Sequence, residues 1–289
     1  MRVKLPEFKT LKDELSYVKA NVKQIISQKR ALDIQSDECV LGCESLEFPE
    51  KAFSNKSVIK GAKAIENKEL SENQIAIKAF ANTIGWCDSH MDVLIRDCAK
   101  KTISDKGASN QILFYHLKDH NHSTEGIIGK NARATLEDVS LEKFNIKSEI
   151  KSTQVIFGHS IVDKEYDKKA YLLYSDNEIK QHSIGLQYVK IFLCINSDEP
   201  DDAQLKENWD KYSNQVINKD KIDSKGYFWA VTEIKLLEFS AVLFGSNELT
   251  PTEEISKAYK EPSIDTQKDP IIQPSSDTDR GLKKRLLNL

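Results

Sequence analysis

Residues 234–244 read IKLLEFSAVLF, and this run decides the kind of fold that the chain can adopt. Apolar and aromatic residues fill most of it, as in a strand that is at least half buried. The charged residue inside its apolar part is Glu238, and a buried carboxylate needs a partner because burying it alone is costly. Alternation with Leu237 and Phe239 is equally compatible with a solvent-facing Glu238. The run therefore predicts a strand at 236–244 that carries either a paired carboxylate or a solvated one.

Five other runs rich in β-branched and aromatic residues predict further strands. They lie at 75–80, 112–117, 154–161, 186–195 and 226–232. Helical patterns lie between some of them, at 163–174 and at 201–217. This order fits an α+β fold with a mainly antiparallel, barrel-like β core surrounded by helices better than it fits alternating βαβ units.

The N-terminal residues 1–72 are expected to form a helical extension. Over about 10–31, apolar residues alternate spacings of four and three, which places them on one stripe of a helix. A second, weaker helical stretch runs through about 48–68. The first helix either packs on its own domain or binds a partner, and the period fits both. The stripe consists of Leu11, Leu15, Val18, Val22 and Ile25.

The C-terminal residues 251–289 are expected to form a disordered tail. Residues 250–280 are rich in Pro, Ser, Thr and charged residues and contain few large apolar ones, so they bury too little surface to offset chain entropy. The last nine residues, GLKKRLLNL, are basic and apolar together. Such an end is typical of a docking peptide or of a frayed terminus.

Composition excludes several classes of protein. The formal net charge of −3 does not suggest a nucleic-acid binder. The sequence contains no run of about 18 apolar residues, so it does not predict a membrane span. The start of the chain has no apolar signal region, so we expect a cytoplasmic protein. An odd number of cysteines indicates reduced thiols, and Cys39 and Cys43 lack the second pair that a zinc site needs.

Hydrolysis by a serine needs a hydroxyl, an imidazole that takes its proton and a group that orients the imidazole. Residues 115–129, YHLKDHNHSTEGIIG, supply three histidines where a strand runs into a polar loop. This cluster fits a catalytic base, a metal site or a solvated turn. Ser183 stands in HSIGL, residues 182–186, where Gly185 leaves room for a substrate backbone and for amides that stabilise an oxyanion. A Ser-x-Gly by itself is more typical of an ordinary serine at the entrance of a strand.

Four stretches in this order resemble the prohead maturation serine proteases of tailed bacteriophages, which share their fold with the herpesvirus assemblins. The stretches are KAFANTIGWCDSHMD at 78–92, the histidine cluster leading to Gly129, SIGL at 183–186 and the run 236–247. The resemblance covers about residues 73–250. It implies an assemblin-like protease domain over these residues.

The same resemblance implies what the protein does. It would be a serine endopeptidase that cleaves scaffold segments, major capsid protein segments and itself inside the prohead, in the host cytoplasm. Neither a metal nor an organic cofactor would be needed. A homodimer or a higher oligomer stays open, because the sequence does not give the oligomeric state.

The resemblance also implies a triad. Ser183 would be the nucleophile, a histidine of the cluster the base, and Glu238 the orienting group, at the place where the herpesvirus relatives have a second histidine. The family's usual step from histidine to glycine, counted back from Gly129, selects His122. The strand and acidic residue before His120 select His120, which we adopt as the predicted base.

Two other functions compete with this prediction. A non-catalytic capsid assembly protein would use the protease fold as a scaffold and bind through its terminal arms. A metal hydrolase would be built on the histidine cluster together with Asp92. The intact serine, histidine and glutamate favour the protease.

Overall fold

The structure is a computed structural model and describes residues 5–31, 70–107, 114–146 and 148–256. All of these residues belong to one compact unit, residues 1–259. The fold is α+β, with one mixed sheet of eight strands and several helices. None of the described helices is both long and apolar enough to cross a membrane.

The sheet runs in the order β2-β7-β3-β4-β5-β1-β8, with β6 on β7. β7 pairs in parallel with β2 and β3, and every other pairing is antiparallel. The strands are β1 (Gln74–Thr83), β2 (Asp92–Leu94), β3 (Tyr115–Lys118), β4 (Ile127–Ser140), β5 (Ser152–Asp163), β6 (Gln181–Ile195), β7 (Tyr227–Val242) and β8 (Thr252–Ser256).

β7 is the central element of this sheet. It joins the two strands predicted at 226–232 and 236–244 into one strand of 16 residues. β6 pairs with its whole length on one side, while β2 and β3 share the other side. An isolated Ser-x-Gly suggests a serine at a strand entrance. β6 begins at Gln181, so Ser183 instead lies inside a paired strand.

β4 is a strand of 14 residues that the sequence did not reveal. Its inward side chains include Ala132, Ala134 and Leu136, which alternate with charged or polar residues. Small, partly buried side chains give a weak alternation signal, although the strand pairs with β5 over most of its length.

The described ranges contain six α-helices, and short 3₁₀ turns accompany them. The predicted helix at 163–174 begins later, because Asp163 ends β5 and the Asp167 side chain caps the helix by accepting a hydrogen bond from the amide of Ala170. The helices are α1 (Leu11–Ala20), α2 (Val22–Ala31), α3 (Lys100–Gly107), α4 (Lys168–Ser175), α5 (Ala203–Tyr212) and α6 (Lys219–Lys225).

The N-terminal helices pack on their own domain. Val18 of α1 and Ile25 of α2 are buried in the same hydrophobic cluster as the sheet. Lys29 of α2 is buried too, with its Nζ 2.5 Å from Oδ1 of Asp92 and over the ring of Trp229. The described part of the N-terminal region is therefore part of the folded unit. The helix predicted at 48–68 and the pair Cys39 and Cys43 lie outside the described residues.

The predicted disordered tail is wrong at its start, since residues 252–256 form the edge strand β8 on β1. An edge strand needs one apolar face and backbone partners, and Ile255 together with the amides and carbonyls of β1 supplies both. Just before it, the carbonyl of Thr250 accepts from the amide of His182 in β6, and the carbonyl of Pro251 accepts from the amide of Phe80 in β1. Residues 257–289 lie outside the described part of the chain.

The cysteines within the described ranges are Cys87, Cys98 and Cys194, which are buried free thiols as predicted. Burial raises the pKa of each to about 12. All three are therefore protonated, poorly nucleophilic side chains that fill the core.

The buried ion pair should anchor α2. We expect Lys29→Ala to lower the free energy of unfolding by about 3–5 kcal/mol, because it leaves the Asp92 carboxylate buried without its cation. Lys23→Ala, at an exposed position of the same helix, is the matched control and should change it by less than about 0.5 kcal/mol. Urea unfolding followed by circular dichroism measures both, and equal losses would contradict an anchoring role.

Candidate active site

Glu238 lies in β7, between the neighbouring strands β3 and β6. It pairs with Gly185 across β6 and β7, and Ser240 pairs with Ser183. Cross-strand partners project to the same face of a sheet, so these four residues form one patch. The neighbouring residues His182 and Phe239 project to the opposite face and are fully buried.

The Glu238 carboxylate is 2% exposed and is fully engaged. Its Oε1 accepts from Nδ1 of His120 at 2.6 Å, and its Oε2 accepts from Oγ of Ser240 at 2.8 Å. Burial by itself would raise the pKa of Glu238, but the interactions with His120, His122 and Ser240 outweigh it and lower that pKa. The pattern left a solvated and a paired carboxylate open, and the structure has the paired one.

A strained turn presents His120. Residues 118–121 form a tight turn closed by the amide of Asn121 on the carbonyl of Lys118, at 2.9 Å. Asp119 and His120 have φ values of 51° and 53°, in the left-handed region that costs a non-glycine residue about 1–2 kcal/mol. The His120 amide donates to Oγ of Ser240 at 3.2 Å, which helps to offset this strain. Strain of this kind that the surroundings hold in place is typical of functional sites.

The two candidate bases are not equivalent. Nδ1 of His120 contacts Glu238 Oε1 at 2.6 Å, whereas Nε2 of His122 is 3.9 Å from the same oxygen. The nearby carboxylate raises the pKa of His122. Because Nδ1 of His120 is occupied, its Nε2 is the nitrogen left to receive a proton, which is the arrangement that a triad base requires.

Ser183 is the accessible serine of the patch. It is half-buried, while Ser240 opposite is fully buried and already bonded to Glu238. Within the described residues, the Ser183 side chain makes no hydrogen bond to either histidine. Such contacts are often long without a substrate and close only in the reacting complex.

Gly185 has a different role from the expected one. A Cβ at this position would lie 2.3 Å from Oε1 of Glu238. The space left by the missing side chain is therefore occupied by the carboxylate and not by a substrate. Gly185 therefore leaves room for the Glu238 carboxylate against β6, where its Oε1 bonds to His120.

Ser240 is a site residue that the sequence analysis missed. Its hydroxyl joins the Glu238 carboxylate to the His120 backbone, so it fixes the relative position of the two. The spacing Glu238-x-Ser240 in a strand places both on one face, and this spacing was the available signal.

The structure does not bring Asp92 to the histidine cluster. Asp92 pairs with Trp229 at one end of β7, and the turn that carries His120 lies beyond Ala241 at the other end. Asp92 does lie near Asp88 and His90, with ligand atoms within 4.8 Å of one another, but its carboxylate is already bonded to Lys29 and Tyr188. Among the described residues, the ligand atoms grouped with Asp92 come from Asp88 and His90 and not from the histidine cluster, so the structure does not support the metal hydrolase built on both elements.

Behind the site, on the opposite face of β6 and β7, five groups form a continuous chain of hydrogen bonds. Ser160 Oγ lies 2.7 Å from Nδ1 of His116, whose Nε2 lies 2.8 Å from the Tyr174 hydroxyl. The same hydroxyl lies 3.0 Å from Nε2 of His182, and Nδ1 of His182 lies 3.1 Å from the Thr250 carbonyl oxygen. Burial lowers the pKa of His182 to about 4 and lowers that of His116 as well. Both histidines are neutral at pH 7.

The chain matches no protein-family model, no curated protein and no solved structure.

The close packing of Gly185 under Glu238 is testable by Gly185→Ala. The added methyl group must displace the carboxylate, so we expect the free energy of unfolding to fall by about 1–3 kcal/mol. Ser183→Ala, one residue pair away on the same face, removes no described hydrogen bond and should change it by less than about 0.5 kcal/mol. Urea titrations of the two variants compare them directly, and equal stabilities would contradict the packing role.

The buried histidines make stability depend on pH. Their pKa values are lower in the folded than in the unfolded protein, so the unfolded chain binds more protons below pH 6.5. The free energy of unfolding should therefore rise as the pH increases from about 4 to 6.5 and then level off with respect to these groups. Each histidine contributes at most about 1.4 kcal/mol per pH unit.

Urea unfolding at pH 4.5, 5.5 and 7.5 measures this slope. His90→Gln is the control, since His90 is partly exposed and lies in the turn before β2, so the slope should persist in it. A stability that stays flat across this range would contradict the neutral buried state.

Proposed function

We propose that the protein is a serine endopeptidase with Ser183 as nucleophile, His120 as general base and Glu238 as the orienting carboxylate. One observation carries the proposal: Nδ1 of His120 bonds to the buried carboxylate of Glu238 at 2.6 Å, on the sheet face that also presents Ser183. These residues are far apart in the sequence, and each comes from a separate element. Three features position this contact: the strained turn at His120, the buried charge of Glu238, and Gly185, whose missing side chain makes room for the carboxylate.

In the proposed reaction, Ser183 Oγ attacks the carbonyl carbon of a peptide bond while Nε2 of His120 takes the hydroxyl proton. The carbon–nitrogen bond then breaks, and the imidazolium returns the proton to the leaving amine. Water, deprotonated by the same imidazole, hydrolyses the acyl-enzyme and restores Ser183. Glu238 holds the Nδ1–H tautomer throughout and stabilises the imidazolium, since it is charged and shielded from water.

The proposal extends to the fold. The carbonyls of Thr250 and Pro251 bond to β6 and β1, so the segment after β7 links two strands that do not pair with each other. This link supports a barrel-like closure of the sheet, as in the herpesvirus assemblins that the sequence resembles. An assemblin-like fold accommodates a triad on three different elements.

The substrates that we propose follow from the same resemblance. They are scaffold and major capsid protein segments, and the enzyme itself, within an immature phage shell in the host cytoplasm. The order of the four sequence stretches supports this assignment. Three of them contribute the residues that meet at Glu238.

Incubation with the cognate procapsid tests the activity. The wild-type protein should convert the capsid and scaffold proteins to shorter products, and Ser183→Ala should slow this by about 10⁴-fold or more. Ser224→Ala, an exposed serine on α6, is the control and should process at the wild-type rate. Unchanged processing by Ser183→Ala would refute the protease and favour the assembly protein that only uses this fold as a scaffold.

The choice of base has its own test. His120→Gln should lose about as much activity as Ser183→Ala, because it removes the proton acceptor. His122→Gln should retain most of the activity, because its ring lies 3.9 Å from Glu238 and contributes only charge. Glu238→Gln should lower kcat by up to about 10⁴-fold, since it favours the wrong tautomer of His120.

Rates of procapsid processing for the three variants, each checked for folding by circular dichroism, distinguish these roles. A large loss in His122→Gln with an active His120→Gln would reverse the assignment.

A further inference from the structure

In the buried chain of hydrogen bonds behind the site, the donor and the acceptor of each bond can be assigned in only one way. The Thr250 carbonyl can only accept, so Nδ1 of His182 donates to it. Neutral His182 then accepts at Nε2, where the Tyr174 hydroxyl is its partner among the described residues. With its one proton used, the Tyr174 oxygen accepts from Nε2 of His116. Nδ1 of His116 must then accept from Ser160. Every group in the chain is satisfied in one direction only.

The buried chain of hydrogen bonds contacts each element that carries a residue of the proposed triad. His182 directly precedes Ser183 in β6. His116 lies in β3, four residues before His120, and it stacks on Phe239 with ring centroids 4.1 Å apart. Phe239 in turn lies between Glu238 and Ser240 in β7. Along β6 and β7, the proposed triad residues therefore alternate with residues that the buried chain of hydrogen bonds contains or contacts on the opposite face.

Of the five residues in this chain of hydrogen bonds, Tyr174 alone comes from a helix. It lies on α4, is fully buried, and its hydroxyl bridges β3 and β6, which do not pair with each other. Gly129 leaves the space for the chain, since a Cβ there would lie 2.6 Å from Nδ1 of His116 and 2.7 Å from Oγ of Ser160. Removing the hydroxyl would leave one buried donor and one buried acceptor without partners.

We propose that Tyr174 is a positioning residue for the reaction, a role that rests on the proposed protease function. Its hydroxyl ties β6 to β3 across the back of β7 and so sets the position of Ser183 relative to His120. It touches neither the substrate nor a reacting atom. Small displacements of a nucleophile reduce rates strongly, so the tie acts on reactivity as well as on stability.

The test uses a fluorophosphonate probe on the full-length protein. Ser183 Oγ displaces fluoride from phosphorus while its proton passes to His120, so the labelling rate reports how well the two are aligned. Tyr174→Phe should lower the second-order labelling rate about tenfold or more at a temperature far below its melting point. Tyr171→Phe, on the same helix with its hydroxyl near the surface, is the matched control and should label at the wild-type rate.

A role in stability alone would lower the melting temperature of Tyr174→Phe and leave its labelling rate unchanged, which would overturn the inference. Labelling of the wild type but not of Ser183→Ala shows that the proposed function stands independently. No labelling of the wild type would mean that the protease proposal itself has failed. If Tyr174→Phe does not fold, Ser160→Ala at the far end of the chain replaces it, with an expected decrease of about threefold and an unchanged rate as the refuting result.

Nitrogen-15 spectra of the histidine rings provide a second measurement. In the wild type, His182 should carry its proton on Nδ1 and His116 on Nε2. Tyr174→Phe should shift both ring signals, whereas Tyr171→Phe should leave them unchanged. Wild-type rings with the opposite tautomers would overturn the proton order on which the inference depends.

Discussion

A carboxylate buried within the 16-residue strand β7 is the constraint on which the rest of the structure depends. Glu238 is tolerable there only because His120, Ser240 and the missing side chain of Gly185 meet its charge and its volume. Each of these requirements fixes something else. The position of His120 requires a left-handed turn, and the position of Gly185 fixes the register of β6 on β7.

The class of fold and the position of most strands could be predicted from the sequence, because apolar strands leave a period in the chain. The run around Phe239 and the run before Cys194 are such cases. β4 could not be found, since Ala132 and Ala134 are too small to give a clear alternation. β8 could not be found either, because its pairing depends on backbone groups, and its composition resembles that of a tail.

The identities of the candidate site residues could be predicted in part, and their geometry could not. Glu238 was visible as a charge in an apolar strand, and His120 as part of a polar loop after a strand. Nothing local shows that Gly185 makes room for a carboxylate, since that contact joins residues 53 positions apart (238 − 185). The same holds for Tyr174, whose sequence context is an ordinary amphipathic helix, although its hydroxyl connects two buried histidines.

The central position of β7 has a consequence for synthesis in the cell. The strand that carries Glu238 pairs with residues near 93 and 116, which leave the ribosome well over 100 residues earlier. Contacts between such distant segments form late in folding, because a long loop must close first. The candidate site therefore stays incomplete until β7 has been made, because Glu238 cannot meet His120 and Ser183 before that strand pairs with β3 and β6.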